Sequence, residues 1–196
     1  MSKVGIFGGT FDPIHVGHLI TTQKVYEQRE LDKILFIPAF ISPHKIHKFA
    51  SPPVHRMNMA KLAIEGLKHF DISDIEINRN EISYTINTIT ELKTNYDEIE
   101  LIIGFDNLVV FDKWHQPDEL LKMVELVVMK RSFDKELKNI HKYFGEANFV
   151  DTPNIEISST EIRERVNKGL PIDFMVTEKV KDYIKENNLY KKKYAE

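Results

Sequence analysis

The segment "VGIFGGTFDPIHVGH", residues 4–18, decides the fold expected for this chain. It opens on the apolar run VGIF, typical of a buried strand, and its end leads into an amphipathic stretch typical of a helix. Between the two, Gly8 and Gly9 let a ligand approach the backbone closely. A helix that begins near Gly17 would direct N–H groups and its positive dipole end at an anion. The segment therefore predicts a strand, a phosphate-binding turn and a helix.

The rest of the chain repeats this alternation of strands and helices. We predict strands at residues 3–7, 33–37, 70–77, 100–104, 125–129 and 147–150, helices at residues 17–28, 54–67, 85–94, 159–168 and 177–187, and short helices around residues 107–121. Because the strands are almost continuously apolar, they fit a parallel sheet that is covered on both faces. We expect an α/β fold, a doubly wound, Rossmann-like parallel sheet with helices on both faces. Ligands of such sheets bind at the carboxyl ends of the strands.

Length and composition limit what the protein can be. A chain of 196 residues with 42% hydrophobic content fits one domain over residues 1–196. Its 27 basic and 30 acidic residues give a net charge of -3, which argues against general attraction to nucleic acid or anionic membrane. The absence of cysteine excludes disulfides and thiol chemistry. Because the sequence also has no signal-peptide pattern and no membrane-spanning apolar run, we expect a cytoplasmic protein.

Two histidines, His15 and His18, lie where the first helix begins. Their imidazoles can donate hydrogen bonds to phosphate oxygens from both sides of the bend. Neither a Gly-x-Gly-x-x-Gly fingerprint nor a P-loop is present, so other groups must complete the phosphate contacts. Asp12 could join the histidines as a zinc ligand, but no His-Glu-x-x-His pattern supports that reading. We expect Asp12 to fix the turn by bonding nearby backbone N–H groups.

Five motifs carry a resemblance to a known family. The segment HVGH at residues 15–18 resembles the His-x-Gly-His signature of the nucleotidyltransferase superfamily, and ISSTEIR at residues 157–163 resembles its C-terminal partner motif. The intervening SPHK (42–45), SYTINT (83–88) and IGFDNLVVFDKWH (103–115) resemble the bacterial nicotinate-nucleotide adenylyltransferases over nearly the full chain. Pantetheine-phosphate adenylyltransferase and a non-catalytic nucleotide-binding module are the alternatives.

The resemblance implies transfer of the adenylyl group of ATP to nicotinate mononucleotide, with Mg²⁺ held mainly through the phosphates and no dedicated metal site. It implies three sets of site residues. The catalytic set is His15, His18, Lys45 and Arg163; ATP is bound by Gly8, Gly9, Thr10, Phe11, His15, His18, Ser158, Ser159, Thr160 and Arg163; the mononucleotide is bound by His44, Lys45, Thr85, Asp106, Trp114 and His115.

Two further points stay open at this stage. Arg56 follows Pro52 and Pro53 at a predicted helix start. We interpret it as equally suited to a salt bridge and leave it out of the catalytic set. The sequence does not decide the oligomeric state, and a homo-oligomer remains open.

Overall fold

The structure, a computed structural model, describes residues 3–43, 50–130 and 142–191. Its centre is one sheet of six parallel strands in the order β3-β2-β1-β4-β5-β6. The strands are β1 (Lys3–Gly9), β2 (Lys33–Pro38), β3 (Phe70–Ile72), β4 (Glu98–Gly104), β5 (Glu125–Lys130) and β6 (Ala147–Asp151). Every pair of neighbouring strands is parallel, so each connection crosses over a face of the sheet.

Helices cover both faces of this sheet. The described helices are α1 (Val16–Arg29), α2 (Pro53–Ile64), α3 (Ile75–Arg79), α4 (Thr85–Leu92), α5 (Phe105–Val109), α6 (Pro117–Leu121), α7 (Ser159–Asn167) and α8 (Glu178–Glu186). One buried cluster joins the sheet to α1, α2, α7 and α8, and a second joins it to α4, α5 and α6. In β4, Ile102 belongs to the first cluster while Leu101 and Ile103 belong to the second. The doubly wound parallel sheet predicted from the sequence is thus confirmed.

One predicted element is wrong. The strand expected over residues 70–77 ends at Ile72, and α3 begins three residues later. Asp74 is the N-cap of α3, and Asn80 ends it in the left-handed conformation with φ 57°. The apolar residues 72, 75 and 77 fit a short strand and a short helix equally well, so their pattern could not separate the two.

The order of the strands fixes where ligands can bind. The strand order reverses between β1 and β4, because the chain leaves β1 toward β2 on one side and leaves β4 toward β5 on the other. A crevice opens at such a point, outside the carboxyl ends of the two strands. The GGTFDPIHVGH segment begins with the last two residues of β1, leads to α1 and therefore lines this crevice. In the part of the chain that the structure describes, no helix has the length and apolar character needed to cross a membrane.

Candidate active site

Two adjoining cavities fill the crevice. The larger cavity, about 850 Å³, lies over the turn after β1, the start of α1 and the start of α7. The smaller cavity, about 460 Å³, lies beside it toward the start of α4. The two share six lining residues: Phe7, Gly8, Gly9, Thr10, Ser42 and Asn107. The glycine-rich segment Gly8–Thr10 thus lines both cavities.

His15 and His18 form a fixed pair in the wall of the larger cavity. His15 is the N-cap of α1, and its backbone N–H donates to Nδ1 of His18 across 3.2 Å. The two rings stack with their centroids 3.6 Å apart. Because Nδ1 of His18 accepts a hydrogen bond, the proton of the neutral imidazole sits on Nε2.

Burial controls the charge of His15. The side chain is 8% exposed, and desolvation lowers its pKa from 6.5 to about 4. His15 is therefore a neutral imidazole at physiological pH, a hydrogen-bond donor and not a cation. Gly17 makes this placement possible, since a Cβ there would lie only 3.0 Å from Nδ1 of His15.

The turn between β1 and α1 is held by aromatic packing. Phe11 is 3% exposed, has φ 48° and packs on Phe7, Phe36 and His18. A Cβ on Gly9 would lie 2.8 Å from its ring, so the close approach requires glycine there. Phe11 thus lines the larger cavity as part of the first buried cluster.

The expectation that Asp12 fixes a local turn is wrong. Asp12 instead joins distant parts of the chain. Oδ2 accepts from the backbone N–H of Ser51 at 3.0 Å, and Oδ1 accepts from the hydroxyl of Tyr190 at 2.7 Å. Its backbone carbonyl accepts from Nη1 of Arg163 at 2.7 Å. With both carboxylate oxygens engaged by protein donors, Asp12 acts as a junction between the phosphate turn, the segment before α2, and the C-terminal region.

Arg56, which the sequence left open as equally suited to a salt bridge, is also a junction. It is 1% exposed and lines the floor of the larger cavity. Its guanidinium donates to four backbone carbonyls at 2.6 to 3.0 Å: Thr10, Ala39, Phe40 and Ser51. Desolvation lowers the pKa of Arg56, while the nearby Asp12 carboxylate opposes that shift. The loops after β1 and β2 are therefore held to α2 by one buried cation.

The start of α7 also lines the larger cavity. Ser158 is the N-cap, and its hydroxyl accepts from the backbone N–H of Glu161 at 3.1 Å. The hydroxyl of Ser159 donates to the carbonyl of Pro13 at 2.8 Å, so both hydroxyls stabilise the fold. Arg163 donates to Thr160 Oγ1 at 3.2 Å as well as to Asp12. The first turn of a helix presents N–H groups without partners inside the helix, which suits an anion.

Thr85, Trp114 and His115 meet at the smaller cavity. Thr85 is the first residue of α4, and Trp114 is half-buried with its ring 5.0 Å from that of Phe111. His115 is exposed, and its ring lies 4.6 Å from that of Tyr84. The cavity combines an aromatic side with a helix start, as a flat ring bearing an anionic group would require.

Asp106, His44 and Lys45 are the remaining residues predicted to bind the mononucleotide. Asp106 is exposed in the first turn of α5 and lines the larger cavity. His44 and Lys45 lie outside the described residues. In the described ranges, no three His, Asp or Glu side chains are grouped to hold a metal ion.

Three residues that the sequence reasoning did not assign to the site belong to its framework: Arg56, Tyr190 and the buried Glu76 in the wall of the smaller cavity. Arg56 and Tyr190 act through contacts with residues far along the chain, and Glu76 acts through Thr88, 12 positions away. A charged side chain in an otherwise apolar helical pattern, as at Arg56, is the one signal that could have marked any of them.

The fold and this arrangement define a nucleotidyltransferase. The model of the cytidylyltransferase-like family matches residues 6–165. The nicotinate-nucleotide adenylyltransferase of Bacillus subtilis (strain 168) is 41% identical, with 97% of this chain and 99% of the relative covered. A relative from Thermoanaerobacter sp. (strain X514) is 42% identical over 97% of this chain and 95% of its own length. The chain belongs to the nicotinate-nucleotide adenylyltransferase family.

Solved structures support the fold assignment. The nicotinic acid mononucleotide adenylyltransferase of Plasmodium falciparum, solved in complex with NaAD, superimposes with a TM-score of 0.79. The match covers 97% of this chain and 98% of that one, at 24% identity. At this identity the likeness establishes the shared fold.

Proposed function

We propose that this enzyme transfers the adenylyl group of ATP to nicotinate mononucleotide, which gives nicotinate adenine dinucleotide and pyrophosphate in NAD biosynthesis. The observation that carries the proposal is the pair of adjoining cavities that share the Gly8–Thr10 turn. The larger one suits a polyphosphate and the smaller one suits a flat acidic ring. The bond that forms in the reaction would lie between them.

The reaction requires that the two substrates are positioned and that the charge on the phosphates is stabilised. A phosphate oxygen of the mononucleotide attacks the α-phosphorus of ATP, and the bond from that phosphorus to the pyrophosphate oxygen breaks. A phosphate monoester has its second pKa near 6 and is largely dianionic at neutral pH, so no general base is needed. Catalysis then depends on donors aimed at the charge that develops on the phosphates.

The residues of the larger cavity supply such donors. We assign Nε2–H of His18 to the α-phosphate and the neutral His15 to an adjacent phosphate oxygen. The first-turn N–H groups of Ser159 and Thr160, with Arg163, suit the pyrophosphate that leaves. The glycine turn, Thr10 and Phe11 would bound the nucleotide. Lys45, with His44, is assigned to substrate phosphate from the family motif alone.

We assign Mg²⁺ to the phosphate oxygens of ATP. Magnesium bound to a nucleotide keeps several waters and needs few protein ligands. The residues present fit this arrangement. Both oxygens of Asp12 already accept from protein groups, and Asp106 is an exposed carboxylate at the cavity. The phosphates themselves, with water, would therefore supply most of the ligands of the ion. When bound, the ion would neutralise charge on the phosphates.

The smaller cavity is assigned to the pyridine end of the mononucleotide. Trp114 offers a face for the ring to stack on, and the N–H and hydroxyl of Thr85 suit its carboxylate. His115 would lie at the edge of the ring, and Asp106 would accept from a ribose hydroxyl. A carboxylate offers two acceptors to these donors, whereas an amide would turn its NH₂ donor toward them.

We further propose that residues 1–196 act as one nucleotidyltransferase domain in the cytoplasm, without a nucleic-acid or membrane partner. The continuous sheet from β3 to β6 and the small net charge of -3 support this.

Pyrophosphate release measured with ATP and a panel of acceptors tests the proposal. The panel is nicotinate mononucleotide, nicotinamide mononucleotide and phosphopantetheine. We expect the acid to exceed the amide in kcat/KM by at least about tenfold, since one unpaired group costs about 1 to 3 kcal/mol. Preference for phosphopantetheine, or no release with any acceptor, would overturn the proposed function. Equal use of acid and amide would overturn the assignment of Thr85.

A further inference from the structure

Glu76 is a buried acidic residue that the proposed reaction does not use. It lies on α3, is 7% exposed and lines the smaller cavity. Burial raises the pKa of its carboxyl group, because desolvation outweighs the hydrogen bonds it accepts and the attraction of Arg79. A carboxylate in such a place is costly unless its oxygens are hydrogen-bonded.

Two hydroxyl groups satisfy this carboxylate. Thr88 Oγ1 donates to Oε1 of Glu76 across 2.7 Å, and the hydroxyl of Ser83 forms a second hydrogen bond with the carboxylate. Thr88 and Ser83 are themselves 1% and 6% exposed. Thr88 Oγ1 also accepts from Nη1 of Arg79 at 3.3 Å, so its single proton is directed at Glu76.

Ser83 extends the network to the loop after β2. Its Oγ accepts from the backbone N–H of Phe40 at 2.9 Å. The backbone N–H of Ser83 in turn donates to the carbonyl of Ile41 at 2.9 Å. One carboxylate therefore ties α3 to the loop after β2 and to α4.

Both tied elements line the smaller cavity. Ser42 and Pro43 line it from the loop after β2, and Thr85 lines it from the start of α4, one turn before Thr88. A shift of α4 against the loop would move the Thr85 N–H relative to Ser42 and Pro43.

We propose that Glu76 is a positioning residue for the mononucleotide, which sets the distance between the Thr85 end of α4 and the loop after β2. The inference rests on the proposed function, because it assigns the smaller cavity to the mononucleotide. Glu76 acts through Ser83 and Thr88 and touches no reacting atom.

A matched pair of variants separates this role from general stabilisation. Glu76→Gln keeps the side-chain volume but replaces one acceptor oxygen with a donor. Glu91→Gln is the control, because Glu91 also links α3 to α4, through an ion pair with Arg79 at 2.8 Å, and its side chain is 58% exposed. Thr88→Val removes the other end of the 2.7 Å bond and preserves the branched shape.

The measurement is the KM of each substrate in the pyrophosphate-release assay, with the melting temperature of every variant. Glu76→Gln and Thr88→Val should each raise the KM for nicotinate mononucleotide about tenfold, with less than about a twofold change for ATP. Glu91→Gln should change neither. If the wild type uses the mononucleotide but Glu76→Gln and Thr88→Val raise both KM values equally or not at all, the positioning role is overturned. A wild type that does not use the mononucleotide overturns the proposed function and this inference with it.

Should Glu76→Gln not fold, Thr88→Val alone decides the matter. A shift in its KM for the mononucleotide, absent for ATP, supports the role, and an unchanged KM contradicts it.

Discussion

The backbone N–H of His15 donates to Nδ1 of His18 at 3.2 Å, while the two imidazole rings stack with centroids 3.6 Å apart. This contact fixes the proton of His18 on Nε2 and orients the ring from the first turn of α1. His15 is buried and neutral, whereas His18 is half-buried at the cavity. The two histidines of one motif therefore differ in burial and orientation. Under the proposed function both donate to phosphate oxygens, His15 as a neutral imidazole at the helix start and His18 through its oriented Nε2–H.

Replacement of His18 by alanine should lower kcat far more than it raises the KM for ATP. A donor to developing charge acts mainly in the transition state, and loss of one such donor typically costs about 100- to 1,000-fold in kcat. Steady-state kinetics with both substrates check this. His69→Ala is the control, because His69 bonds to Gln23 and does not line either cavity. Wild-type turnover by a folded His18→Ala enzyme would refute the assignment.

The low pKa of His15 predicts a pH dependence of stability. Between pH 6.5 and about 4 the folded protein leaves His15 neutral while the unfolded chain protonates it. The unfolded state then binds more protons, so this residue destabilises the fold progressively as pH falls through that range, by up to about 3 kcal/mol. Above pH 6.5 it has no such effect.

Urea unfolding of the wild type and His15→Gln at pH 7 and pH 4.5 measures this contribution. The free energy of unfolding should fall less in the variant over that interval, and the difference isolates His15 because other groups titrate alike in both proteins. Parallel losses in the two proteins would show that burial does not lower the pKa of His15.

The hydrogen bond from Tyr190 to Asp12 predicts that the C-terminal region affects the KM for ATP. Tyr190→Phe removes the hydroxyl that donates to Oδ1 of Asp12 at 2.7 Å, and Asp12 in turn holds Arg163 through its carbonyl. The KM for ATP should rise about 3- to 30-fold, less than the full worth of a hydrogen bond to a charged group, because Tyr190 acts on ATP only through Asp12 and Arg163.

Tyr183→Phe is the matched control for Tyr190. Its hydroxyl bonds His55 and Asn58, so it also ties the C-terminal region to α2, away from the phosphate turn. This variant should lose stability without a change in the KM for ATP. If both variants change the KM alike, the Asp12 link has no special role.

Trp114 provides its own spectroscopic test, because it is the single tryptophan of the chain. Stacking of the pyridine ring should quench its fluorescence on titration with nicotinate mononucleotide, whereas ATP should have little effect. Trp114→Ala should weaken binding of the mononucleotide by about 1 to 3 kcal/mol, measured by calorimetric titration. Equal weakening of ATP binding would indicate that Trp114 supports the fold and does not form the platform on which the ring stacks.

Local patterns of the sequence were sufficient for the alternation of strands and helices and for the glycine-rich segment that ends β1 and leads to α1. The apolar runs and this segment act within a few residues, where periodicity and turn chemistry are informative. The roles of Asp12 and Arg56 were not accessible in this way. Asp12 meets Tyr190 across 178 positions, and Arg56 meets Thr10 across 46. Such contacts exist only once the sheet has brought the loops together.

Glu76 was also missed from the sequence, in this case because the secondary structure of its segment was predicted wrongly. Its segment was expected to be a strand, in which Glu76 would have been one alternating polar residue. In α3 it is buried against Ser83 and Thr88. The error in secondary structure therefore also concealed a residue of the smaller cavity.

The fate of isotopic label in ATP tests the central claim most directly. The enzyme is incubated with nicotinate mononucleotide and Mg²⁺ and with ATP labelled at either the α- or the γ-phosphorus, and the products are separated. We predict that the α-label appears in nicotinate adenine dinucleotide and that the γ-label leaves in pyrophosphate. Recovery of the γ-label as inorganic phosphate, or of the α-label in a product without the pyridine nucleotide, would contradict adenylyl transfer to nicotinate mononucleotide.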